Sequence, residues 1–139
     1  MSPEVEDLWS RALRALQTAE LLVDEDPDAS ASRSYYAAFY AVSALFAFQQ
    51  LSFSKHTGIE RAVHRDLVKT GLWPAEAGAA FSWLSRLRYT GDYGGEEHVQ
   101  PVDAQSAADK ARLVIEAVRS SAPEPLPELA PAPDGGSPT

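Results

Sequence analysis

Arg86-Leu87-Arg88-Tyr89-Thr90-Gly91-Asp92-Tyr93-Gly94-Gly95 gathers two guanidiniums, a carboxylate and two phenols at what reads as the end of a helix. A guanidinium such as Arg88 can grip a phosphate or carboxylate with two parallel hydrogen bonds. A phenol such as Tyr93 can donate a hydrogen bond or stack on a nucleobase. Asp92 follows Arg88 by four residues and shares its helical face, so the plainer alternative is an ion pair within the helix, with Tyr93 covering the core. Arg88, Asp92 and Tyr93 are therefore the candidate catalytic group. Arg33 beside Tyr35 and Tyr36, Arg86, and the neighbours Lys55 and His56 are the candidate phosphate-binding residues.

Other chemistries are poorly supplied. With no cysteine, the chain has neither a thiol nucleophile, nor thiolate metal ligands, nor disulfides. Gly-x-Ser-x-Gly, a phosphate loop, a dinucleotide-binding Gly-x-Gly-x-x-Gly and His-Glu-x-x-His are all missing. His56, His64 and His98 are dispersed, and Glu60 with His64, one helical turn apart, gives only two ligands. Neither a metal nor a cofactor is expected.

The elements that must position these groups read as helices. Val5, Leu8, Trp9, Ala12, Leu16, Ala19 and Val23 recur at spacings of three and four after Ser2-Pro3, a cap followed by a first-turn proline. Asp26-Pro27 repeats that start for a second helix reaching about Gln49. The second helix is apolar nearly all round, which places it at the centre of a bundle, at the seam of a dimer, or both. Ser54 or Thr57 caps a short third helix closed by Gly71. Pro74 opens a fourth, broken by Gly91, Gly94 and Gly95, and Asp103 caps a fifth. The fold class is all-α, a bundle of four to five helices over residues 3–121. Six of the ten prolines follow Ala122, so residues 122–139 read as a disordered or polyproline-like tail.

The longest strongly apolar run, Tyr35 to Phe48, is 14 residues, short of the roughly 20 that a membrane-spanning helix needs. The acidic start lacks the basic and apolar regions of a signal peptide, so a cytoplasmic location is expected. The 139 residues carry a net charge of −8, which disfavours bulk adhesion to nucleic acid or to anionic membrane. That charge is uneven. Residues 1–28 hold eight acids and two bases, whereas residues 55–88 hold six bases and three acids. A local anion site is compatible with the overall sign.

Several segments together resemble the HEPN domain family (higher eukaryotes and prokaryotes nucleotide-binding) over about Val5 to Val118. They are Ser32-Arg33-Ser34-Tyr35-Tyr36-Ala37-Ala38-Phe39-Tyr40-Ala41, Lys55-His56-Thr57-Gly58, Leu67-Val68-Lys69-Thr70-Gly71, and Arg86-Leu87-Arg88 with Gly91-Asp92-Tyr93-Gly94. Together they look like the bacterial and archaeal branch often encoded beside a minimal nucleotidyltransferase. The resemblance implies an up-and-down bundle that homodimerises and brings equivalent helix ends to one cleft. It also implies metal-independent RNA cleavage by an Arg-x(4–6)-His motif, in which the arginine stabilises charge on the phosphorane. Here the four residues after Arg88 lead to Tyr93 instead of histidine. A phenol, with an ordinary pKa of about 10, is a weak base at neutral pH.

The resemblance thus implies the toxin-like half of a toxin–antitoxin pair with a minimal nucleotidyltransferase as antitoxin. Its RNA- or nucleotide-directed site has a ribonuclease activity that is weak or lost. Tyr93 is the candidate acceptor of AMP from the partner. The competing expectation is a non-catalytic helical module that docks a nucleotidyltransferase or another partner.

Overall fold

The computed structural model describes residues 1–53 and 56–133, and of Thr57 the backbone alone. Helix α1 spans Pro3–Leu22, α2 Pro27–Ala47, α3 His56–Ala62, α4 Ala75–Tyr93 and α5 Pro101–Ser121. The described residues contain no strand, as the periodicity requires.

Local chemistry sets the first two helix starts. The Ser2 hydroxyl accepts from the Val5 N–H at 3.2 Å, and the Asp26 carboxylate accepts from the Ala29 N–H at 3.1 Å. In each case a proline follows at the first helical position, where its missing N–H costs nothing. Helix α2 lies at the centre, packed on α1, α4 and α5. Its Ala37, Ala38, Ala41 and Ala44 are fully buried, so their small side chains let the neighbours approach closely. The Ser30 hydroxyl, also buried, donates to the Ala19 carbonyl at 2.7 Å and ties α2 to α1. Trp9, Tyr35, Phe81, Leu84 and Ile115 fill the core; each such side chain stabilises the fold by about 1.5–3 kcal/mol.

Three local expectations differ from the structure. The third helical segment is not one regular helix: after α3 the chain widens into a π-helical stretch, Val63–Val68, with the Lys69 N–H donating to the His64 carbonyl at 3.0 Å. Gly71 does close this segment, at φ +81°. Ser54, one of its two expected caps, lies outside the described residues, as does the side chain of the other, Thr57. Gly91 does not break α4, which continues to Tyr93 and stops at Gly94, whose N–H donates to the Thr90 carbonyl at 2.9 Å. A Cβ on Gly91 would meet the Asp28 carbonyl oxygen at 2.9 Å, so this glycine serves the close approach of α4 to the start of α2. Asp103 is not the cap of α5. Pro101 is pre-set for the first helical position and starts the helix earlier, leaving Asp103 in the first turn.

The proline-rich segment, expected to be disordered or polyproline-like, is described as far as residue 133 and has neither helix nor strand after Ser121. As far as it is described, it does not leave the body. Leu126 is buried, the Trp9 indole N–H donates to the Pro127 carbonyl at 3.0 Å, and an Arg112 Nη donates to the Ala130 carbonyl at 2.8 Å. An extended segment rich in proline cannot pair its carbonyls within itself, so side chains of α1 and α5 supply the donors. No helix among the described residues is long and apolar enough to cross a membrane.

Candidate functional site

Arg88 sits in the last two turns of α4, and helix geometry decides which of its neighbours can join it. Asp92, four residues on, lies over it, and its Oδ2 is 3.5 Å from an Arg88 Nη. The Arg88 side chain is only 12% exposed, and its buried Nε has no partner among the described residues. A charge so far removed from water holds its place through the ring beneath it. The guanidinium carbon lies over the face of Tyr35, 5.1 Å from the ring centroid, an arrangement that attracts a cation.

Tyr35 belongs to the buried face of α2 and carries the contact onward. Its hydroxyl is 2.7 Å from Nδ1 of His56, the first residue of α3. The imidazole also packs edge-on or tilted against Tyr36 and Phe39, with centroids 5.9 and 5.0 Å away. Burial pushes the Tyr35 phenol well above its ordinary pKa, more than the nearby Arg88 charge pulls it down. Burial, and then the Arg88 charge, lowers the His56 pKa. At neutral pH the cluster therefore holds a cation, a protonated phenol and a neutral imidazole.

The structure brings together Arg88, Asp92 and His56 of the expected residues, with Tyr35 as the bridge. Tyr93 follows Arg88 by five residues and so turns off its face. It is 64% exposed, and its ring packs on that of Tyr89 at 5.1 Å. Arg86, two residues before Arg88, is exposed on another face of α4. The Arg33 guanidinium lies over Tyr36, 5.0 Å from its centroid, adjoining the cluster through the Tyr35–Tyr36 contact at 5.3 Å. Lys55 lies outside the described residues. Tyr35 was expected beside Arg33, not beneath Arg88. The available signal was the Tyr35 hydroxyl itself, since a buried tyrosine hydroxyl normally finds a partner.

The remaining histidines are engaged elsewhere. His64 Nε2 lies 2.8 Å from the Ser82 hydroxyl, joining the π-helical stretch to α4. His98 Nδ1 lies 2.7 Å from Asp28 Oδ2, while Asp28 Oδ1 accepts from the Val99 N–H at 2.7 Å. Burial works against the Asp28 carboxylate, yet the Val99 and His98 contacts hold its pKa below the ordinary aspartate value. This latch fastens the loop after α4 to the start of α2. A cavity of about 680 Å³ lies between α1 and the C-terminal segment, lined by Trp9, Leu13, Leu16 and Leu129. Its Arg112 is paired with its Glu20 at 2.7 Å, and it contains none of the expected site residues.

Comparison with known proteins bears on what such a cluster does. The HEPN domain family model matches residues 5–121. A UPF0332 protein of Gloeobacter violaceus is 41% identical over 107 residues, covering 76% of this chain and 85% of that protein. A UPF0332 protein of Thermotoga maritima is 37% identical over 114 residues, covering 81% and 86%. A protein of Methanocaldococcus jannaschii named "Putative toxin" is 26% identical over 113 residues, covering 81% and 77%.

Proposed function

Since this chain belongs to the HEPN domain family, we propose that it is the toxin-like half of a two-gene pair and engages RNA or a nucleotide at the Arg88 cluster. A minimal nucleotidyltransferase is the matching antitoxin. The working form in this reading is a homodimer whose two Arg88 clusters face one cleft. The observation that carries the proposal is the Arg88 guanidinium, largely buried over Tyr35 with its Nε unpartnered and Asp92 at 3.5 Å. A guanidinium held this way suits a phosphate that accumulates negative charge. The relative named as a toxin supports the cellular role.

The chemistry on offer follows from the same contacts. His56 shares Tyr35 with Arg88 and supplies an imidazole where the chain has Tyr93 at the motif position. In the tautomer with its proton on Nδ1, His56 donates to the Tyr35 oxygen, and Nε2 keeps a lone pair for a 2′-hydroxyl proton. A neutral imidazole is the state a general base requires. Arg88 then stabilises the charge that develops on phosphorus oxygens as the 2′-oxygen attacks and the P–O5′ bond breaks, leaving a 2′,3′-cyclic phosphate and a 5′-oxygen that takes its proton from water. Because His56 comes from α3 instead of the motif position, cleavage is slow.

Expression in a bacterial host without the antitoxin tests the cellular role. The wild-type chain arrests growth and Arg88→Ala restores it; equal growth of the two cultures removes the proposal. A second reading, a docking module modified by its partner, draws on the 64% exposure of Tyr93 beside Tyr89. A phenol presented at a helix end is accessible to a transferase, and Tyr93 is the proposed AMP acceptor. After co-expression with the transferase, intact-mass and peptide spectra show adenylate on Tyr93 and none on Tyr93→Phe. Adenylate elsewhere, or none at all, ends this assignment.

A further inference from the structure

On the other side of Tyr36, helices α1 and α2 enclose a polar groove of about 310 Å³. Asp7, Arg11, Arg14 and Thr18 of α1 line one wall, and Arg33 and Tyr40 of α2 line the other. Three guanidiniums thus meet one carboxylate, and that carboxylate is taken by Arg11 at 2.9 Å. Among the described residues, neither Arg14 nor Arg33 has a carboxylate in ion-pairing range. The groove is locally cationic inside the most acidic stretch of the sequence. Like charges gathered without counter-charges repel one another and cost stability, so the arrangement suits an anionic ligand.

The aromatic surroundings narrow the class of anion. Arg33 lies over Tyr36, and Tyr36 packs on Tyr40 at 6.0 Å and on Tyr35 at 5.3 Å. Arg88 over the buried Tyr35 thus adjoins the half-buried Tyr36, which carries Arg33 on its face and packs on the half-buried Tyr40 at the groove. Phosphates pair with guanidiniums while bases stack on tyrosine faces, and a cationic groove interleaved with aromatics is how single strands are held without sequence preference. An acidic peptide would use the cations and leave the tyrosine faces idle.

We infer that the α1–α2 groove binds backbone phosphates of a polynucleotide strand whose neighbouring nucleotides occupy the Arg88 cluster. This inference rests on the reading that the Arg88 cluster takes RNA. The groove lengthens that site along the strand, so a strand gains affinity that a dinucleotide does not.

Fluorescence anisotropy with a labelled oligoribonucleotide of about twelve nucleotides, beside a labelled dinucleotide, tests it. In the full chain, Arg14→Gln weakens the longer strand and leaves the dinucleotide unchanged, and the double variant Arg14→Gln with Arg33→Gln weakens the longer strand at least tenfold. It also reduces the slope of log affinity against log salt by about 1.4, since each phosphate contact to a single strand contributes roughly 0.7. Arg14→Gln alone, on an exposed side chain, reduces that slope by about 0.7 and carries the test if the double variant fails to fold. If both arginine variants bind the strand as the wild type does while Arg88→Ala loses it, the groove inference is overturned and the Arg88 site survives. If Arg88→Ala also binds normally, both are overturned. Displacement of the strand by polyglutamate at equal charge overturns the polynucleotide assignment and marks the groove as a site for an acidic protein.

Discussion

Arg88 is held by a tyrosine face below and a carboxylate above, and His56 reaches it only through the Tyr35 hydroxyl. Tyr35→Phe keeps the ring under Arg88 and removes that hydroxyl. Chemical denaturation should show a loss of about 1 kcal/mol for the missing hydrogen bond, with a larger relative loss of any RNA cleavage because His56 is no longer oriented. The His56 pKa is lowered in the fold, so its protonation opposes folding. Its contribution to stability is intact above the unfolded value of about 6.5 and is lost as pH falls from there through the folded pKa. The melting temperature of the wild type therefore drops more steeply below pH 6.5 than that of His56→Gln. Parallel curves for the two would contradict the buried, neutral imidazole. Arg88 and Asp92 were legible as a pair because helical spacing alone places them together. The Tyr35–His56 contact was not, since the residues are 21 apart and meet only through the packing of α3 on α2.

Helix starts governed by neighbouring residues were legible: Ser2-Pro3 and Asp26-Pro27 form caps in the positions their chemistry suggests. Features that depend on a second element were not. The π-helical stretch Val63–Val68 faces Gly78 of α4, where a Cβ would come within 2.6 Å of a Val68 methyl and 3.1 Å of the His64 ring. Gly91 carries the same lesson. Read locally, a glycine near a helix end signals termination, but here it is the surface on which α4 meets the Asp28 carbonyl. In a solvated helix Gly→Ala would stabilise by about 1 kcal/mol. Gly91→Ala instead lowers the melting temperature, because the new methyl meets backbone that cannot rotate aside. An increase would show that the end of α4 is not docked on α2. The site depends on that docking, since Arg88 and Asp92 lie within one turn of Gly91.

The whole chain resolves the tension between its charge and its site. A net charge of −8 disfavours general adhesion to nucleic acid, whereas Arg88, Arg33 and Arg14 are gathered on particular faces. The bundle itself was legible from helical periodicity, and α2 lies at its centre as its all-round apolarity implied. The path of the segment after α5 was not legible, because proline content reports backbone stiffness and not which carbonyls find donors. Leu126→Ala, at 5% exposure, should cost about 2 kcal/mol in denaturation midpoint measurements; no loss would mean that the segment is not packed in solution. The central claim is that the Arg88 cluster acts on RNA without a metal. The most direct measurement is cleavage of a single-stranded RNA by purified protein in excess EDTA, wild type beside Arg88→Ala and His56→Gln. The account predicts slow cleavage by the wild type, reduced at least a hundredfold in both variants, as expected for losing electrostatic stabilisation or general-base help. Equal cleavage by all three proteins, or none by the wild type, would contradict it.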